Sequence, residues 1–178
     1  MGASEDCKKI FEAFVANGSD LSNHSLGVLN RLVEIHHKLG LEPSTEMCNT
    51  ALMHDIGYSE QISTEVRKGN PELVGYMMLK DSNKVYANVI REHKKGNSNK
   101  LDTELERVAT AVLDYCDLTV NSKGSRCKVE ERYEDIKRIY GEDSKEYKQM
   151  KELESYYTNI CLGIKEALLD LNRLESLK

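Results

Sequence analysis

Apolar residues recur at helical spacing almost from one end of the chain to the other, and only Pro43 and Pro71 stand in their way. Nothing alternates at period two for long enough to form a strand, so the pattern predicts an all-α fold. Segment 5–17 places Cys7, Ile10, Phe11, Phe14 and Val15 at helical spacing. Segment 22–39 opens on Ser22 as an N-cap, carries Leu26, Leu29, Leu32, Val33 and Leu39, and stops before Gly40. Pro43-Ser44 opens a helix that reaches Asp55 and stops at Gly57, and Pro71 stands in the first turn of another. The next helix ends near His93, ahead of the polar stretch KKGNSNK. Segment 102–120 is the most apolar of the later helices, and Glu130–Tyr140 is a charged amphipathic helix closed by Gly141. Residues 144–176 read as one long helix with a weak point near Gly163. The expectation is one helical domain over residues 1–178, a bundle of about six to nine helices.

Charge and cysteine usage narrow the function classes. A net charge of −5 with no Lys/Arg stripe argues against a nucleic-acid partner. No run of about 18 apolar residues exists, so no membrane span is expected. The N-terminal MGASEDCKKIFEAF lacks the apolar core of a secretory signal, and Asp6 stands where a myristoylation pattern needs Ser or Thr. Cys7, Cys48, Cys116, Cys127 and Cys161 are scattered and form no Cys-x-x-Cys pair. That usage fits a cytoplasmic protein whose reduced thiols pack as small hydrophobes.

Chemistry concentrates in ALMHDIGYSE, residues 51–60, where apolar residues run straight into His54-Asp55. Neighbouring side chains in mid-helix diverge by about 100°, but at a helix end running into Gly57 both can reach a common ion. The apolar surroundings imply burial, and a lone buried aspartate costs several kcal/mol unless neutralised. His24 lies in the first turn of its helix, with Arg31 on the same face two turns on. His36 and His37 point about 120° and 140° away from His24 and are read as surface or boundary residues. Asp114 and Asp117 stand three apart in an apolar helix, so at least one faces inward. Two imidazoles and two carboxylates from three helices make an N/O site suited to Mn, Fe, Co, Ni, Zn or Mg.

Taken in order, NHSLGV, ALMHDIGY and LDYCDLTV resemble the H…HD…D signature of the HD-domain superfamily of metal-dependent phosphohydrolases. KGNPELVGYMML, VIREHKK and CDLTVNSKGSRCKVEERYEDIKRIYG resemble the flanks of its small stand-alone members, so the likeness covers about residues 20–141. The resemblance implies a helical bundle of the HD type and one divalent metal ion held by His24, His54, Asp55 and Asp117. Asp117 matches rather than Asp114, because it follows the small Cys116 and precedes Leu118. It also implies hydrolysis of a phosphate ester or anhydride of a nucleotide-like small molecule, with His54, Asp55 and His93 in catalytic roles. Two departures bear on the site. Asn70 stands where two-metal relatives have a histidine, which points to a single metal. Tyr58 stands where many members have a lysine near phosphate, so the candidate substrate contacts are Arg31, Tyr58 and Lys94, or its neighbour Lys95. The rival reading is a catalytically degenerate, metal-containing module that binds a nucleotide or protein partner. The long C-terminal helix leaves a homo-oligomer open.

Overall fold

Small hydroxyl side chains decide where these helices start, by accepting hydrogen bonds from amides that the first turn leaves free. The computed structural model describes residues 2–96 and 101–175. Among the described residues there are ten α-helices: α1 Glu5–Phe14, α2 Asp20–Lys38, α3 Thr45–Met53, α4 Thr64–Gly69, α5 Glu72–Leu79, α6 Lys84–Glu92, α7 Glu104–Leu118, α8 Val129–Tyr140, α9 Lys145–Glu152 and α10 Glu154–Glu175. Ser44 accepts from the Met47 amide at the head of α3, and Thr103 and Glu106 form a reciprocal capping box on α7. Helix α2 begins three residues earlier than Ser22 suggests. Ser19 is its N-cap, and Ser22, buried inside the first turn, donates its amide to Ser19 Oγ.

The all-α expectation holds, with no strand among the described residues and one isolated bridge between Val120 and Arg126. The helix count exceeds the expected six to nine for two reasons. The short α4 was not anticipated, and the C-terminal helix breaks at Leu153 rather than at Gly163, which sits inside α10. Leu153 seats its side chain against Gly96, where a Cβ would fall 2.4 Å from Leu153 Cδ2. The bend lets α9 pack on α8 while α10 lies along α7. Of the polar stretch after His93, residues 97–100 lie outside the described residues, as does residue 176 at the expected end of the last helix.

Helix α7 packs against α2, α6 and α10, and α3 packs against α1, α2 and α6. Val28, Leu32 and Ile35 of α2 meet Cys48, Ala51 and Leu52 of α3, Val89 and Ile90 of α6, and Leu113 and Cys116 of α7, all fully buried. At the edge of this core α2 touches the α7–α8 loop backbone to backbone. A Cβ on Gly27 would fall 2.6 Å from the Gly124 carbonyl oxygen, so only glycine permits the approach. That contact brings the loop beside the N-terminal turns of α2, where the histidine stands.

Candidate metal centre

His24, His54, Asp55 and Asp117 converge from α2, the end of α3 and α7, each offering one donor atom within 4.8 Å of the others. All four are buried. The adjacent His54 and Asp55 can share the site because α3 ends at Met53. Asp55 leaves helical geometry at φ −109°, ψ 12°, and a 3-10 turn, Ile56–Tyr58, follows. Gly57 makes this turn fit: a Cβ there would fall 1.9 Å from the Pro71 carbonyl oxygen at the head of α5.

The histidines are oriented by backbone carbonyls. His54 Nδ1 donates to Ala51 O at 2.8 Å, His24 Nδ1 to Asn121 O at 3.2 Å, and His93 Nδ1 to Ile90 O. A carbonyl can only accept, so when such a ring is neutral its Nε2 carries the lone pair. These lone pairs face carboxylates: His54 Nε2 lies 3.4 Å and His24 Nε2 3.9 Å from Asp55 Oδ2, and His24 Nε2 lies 2.8 Å from Asp117 Oδ1. Buried Nε2 of His54 and of His93 has no hydrogen-bond partner. Imidazole lone pairs turned on carboxylate oxygens repel unless a proton or a metal ion joins them, and the backbone bonds on Nδ1 are the outer support that metal-bound histidines use. The donor set fits a divalent ion.

Two protein cations share the site. Lys94 Nζ lies 2.8 Å from Asp55 Oδ1 and 3.1 Å from Asp117 Oδ2. Arg132 NH2, from α8, lies 3.0 Å from Asp117 Oδ1 and 3.1 Å from His24 Nε2, while its NH1 donates to Asp135. Burial pushes the Asp55 carboxyl up, but His54 and Lys94 outweigh it and hold the group well below the usual carboxylate range. Burial likewise opposes charge on Asp117, and Lys94 and Arg132 overcome it. Lys94 stays charged because Asp117 and Asp55 outweigh its own desolvation. Burial and then Arg132 lower the His24 pKa, whereas for His93 the Asp55 carboxylate outweighs burial and raises it.

A cavity opens beside the cluster, lined by Asp55, Lys94, Asp117 and Arg132 on its polar side and by Tyr58, Ile136, Tyr140 and Met150 among others. A second, on the His24 side, shares Asp55, Tyr58, Arg132 and Tyr140 with it. The Tyr58 and Tyr140 rings stand 6.3 Å apart and tilted by 57°. Tyr58 thus stands at the cavity, with its hydroxyl near Glu72 and Lys94 Nζ 5.9 Å from its ring centre.

The remaining candidates separate. Arg31 is a correction. It donates to Glu34 and to the Tyr115 hydroxyl, stacks on the Tyr115 ring at 5.4 Å and lines neither cavity, because two helical turns carry it past the site. His93 is fully buried behind Asp55, 3.7 Å from Oδ1, and lines neither cavity, so it reaches the site through Asp55 rather than through a direct substrate contact. Lys95 turns to Glu92, and Asn70 lines a separate groove with Lys95 and Lys145. His36 bonds to Leu32 O and His37 lies exposed near Glu42. Asp114 is also buried, but it accepts from the Lys94 amide and the Tyr156 hydroxyl. Sequence reasoning missed Arg132. Its only signal was an arginine in the matching tail VEERYEDIKRIYG.

A family model described as HD domain matches residues 21–119, more than half of the chain. Comparison with curated proteins and with solved structures found no match. The matched span contains His24, His54, Asp55, His93, Lys94 and Asp117, and stops short of Arg132.

Proposed function

The chain belongs to the HD-domain family, and on that footing we propose that it is a metal-dependent phosphohydrolase acting on a phosphate ester or anhydride of a nucleotide-like small molecule. The observation that carries the reading is the charge balance of the centre. Asp55 and Asp117 offset Lys94 and Arg132, with the imidazoles of His24, His54 and His93 around them. Adding a divalent ion shifts this balance toward positive charge beside a cavity, which favours an anionic phosphoryl group. When bound, the ion would acidify a water and offset charge on the phosphoryl oxygens.

The chain's own residues divide the remaining work. His24, His54, Asp55 and Asp117 would hold the ion. Lys94 and Arg132 reach the cavity and are placed to receive phosphoryl oxygens, Arg132 with a planar fork and Lys94 as a point charge. Asp55, kept ionised, orients the attacking water, and His93 fixes Asp55 from behind. Tyr58 and Tyr140 supply an aromatic wall suited to a planar group on the substrate.

The test is hydrolysis of nucleoside mono-, di- and triphosphates and simple phosphomonoesters, with Mn²⁺, Co²⁺ or Mg²⁺ added. Metal-stimulated phosphate release that disappears in His54→Ala supports the proposal. Metal retention without hydrolysis of any of these would favour a binding module, a reading motivated by how completely Lys94 and Arg132 already neutralise the carboxylates.

A further inference from the structure

Asp55 and Asp117 each divide their oxygens between two neighbours. Asp55 Oδ2 and Asp117 Oδ1 face His24 and His54. The other pair, Asp55 Oδ1 and Asp117 Oδ2, faces Lys94 Nζ at 2.8 and 3.1 Å, with His93 Nε2 3.7 Å from Asp55 Oδ1. Two carboxylate oxygens and an imidazole lone pair form a donor set of their own, of the same N/O character as the first. An ammonium fills it.

The backbone shows that this ammonium is placed by design rather than by the reach of a long side chain. Lys94 is the one non-glycine residue among the described residues with positive φ, at 61°, a conformation that ordinary side chains avoid. Three contacts hold it there. Asp114 accepts its amide at 3.1 Å, Gln149 Nε2 donates to its carbonyl at 2.7 Å, and the side chain ends between two carboxylates. Lys95, next in the chain, turns the other way to Glu92. Strain that the surroundings over-determine is where function is sought.

We propose that Lys94 is the fixed second cation of this centre, holding the outer oxygens of Asp55 and Asp117 against a second metal ion so that the chain takes one. The proposal rests on the metal-dependent reading above and goes beyond it. The ammonium gives the cavity a positive charge that does not depend on metal supply. It also leaves one metal position rather than a bridged pair, so a single ion must both hold the phosphoryl group and activate the water.

The experiment is Mn²⁺ binding to the full chain, read as ions per chain by calorimetry and metal analysis, and as the electron paramagnetic resonance spectrum. The expected result is one ion with the six-line signal of isolated Mn²⁺. Two variants suit the left-handed backbone and supply a metal donor in place of the ammonium, Lys94→His and Lys94→Asn. Lys94→His is expected to take two ions and to show an exchange-coupled spectrum, and Lys94→Asn to take a second ion more weakly. Two ions in the unaltered chain would overturn the proposal, as would one ion in both variants with circular dichroism unchanged. No ion in any of the three would overturn the metal-dependent reading along with it.

Discussion

The two halves of the centre are held in different ways. Most of the imidazole half is local: His54 is pinned to Ala51 and His93 to Ile90, each three residues back in its own helix, and His24 alone of the three is held from afar, by Asn121 O. The cationic half is assembled across the chain, with Arg132 coming from α8, the Lys94 carbonyl held by Gln149 of α9, and Asp114 held by Tyr156 of α10. Local bonds form with the helix and cost little further ordering. Long-range ones require the C-terminal helices to dock first. The contrast teaches that His54 and His93 are oriented within short motifs here, while charge balance, like the seating of His24, depends on the tertiary fold.

Asp117 belongs to both halves, and its loss should do the most damage. Asp117→Ala removes a ligand and leaves Lys94 and Arg132 short of a buried partner, so a loss of about 3–5 kcal/mol is expected in denaturant unfolding, together with loss of bound metal. Unchanged stability would mean that the cations do not depend on this carboxylate.

Next comes a change confined to the imidazole half. In Gly57→Ala the new methyl meets the Pro71 carbonyl, and roughly 1–3 kcal/mol of stability should go. Metal affinity should fall as His54 and Asp55 are pushed apart, with the α8–α10 side untouched. Equal metal affinity would show that the turn is not what aligns the pair.

Asp114 probes the cationic half through pH. Burial pushes its carboxyl from 3.8 up to about 6, so the folded state binds this proton more tightly than the unfolded chain does. The stabilisation is full below pH 3.8 and is lost as pH rises through 6, by about 2–3 kcal/mol in all. Asp114→Asn keeps an acceptor for the Lys94 amide and carries no charge, so urea midpoints between pH 4 and 6 should no longer decline. A variant that declines as steeply as the parent would place that titration on another group.

The smallest effect is expected from Gln149→Leu, which strips one donor from the Lys94 carbonyl and should cost about 1 kcal/mol. Metal content should stay the same while the proposed phosphate release drops severalfold. A fall in metal content instead would join the two halves into one unit.

The same contrast explains what could be read from the residues alone. Helical spacing and a scarcity of proline specify an all-α fold, and His54-Asp55 stands out because a buried carboxylate needs a partner, whereas the choice of His24 and of Asp117 over Asp114 rests on the family resemblance. The break at Leu153 did not stand out. Leu153 lies there against Gly96, far away in the chain, whereas Gly163 looks weak only by its own propensity. Arg31 and Arg132 show the same limit: helical phase puts Arg31 on the His24 face, and Glu34 one turn on together with Tyr115 of α7 holds it instead. Arg132 sits in a run of charged residues where exposure is the default, and nothing nearby signals that it is buried.

The cavity wall has a consequence for how such a protein can change over time. Arg132, Ile136, Tyr140 and Met150 all lie beyond residue 119, where the family match ends, while the donor cluster lies wholly inside it. Replacements at Ile136, Tyr140 and Met150, none of them a donor, can therefore reshape the cavity wall, whereas Arg132 is tied to Asp117 and His24 and cannot change without disturbing the centre. One stretch of chain thus shapes most of the apolar wall, while the donor cluster lies wholly on the other.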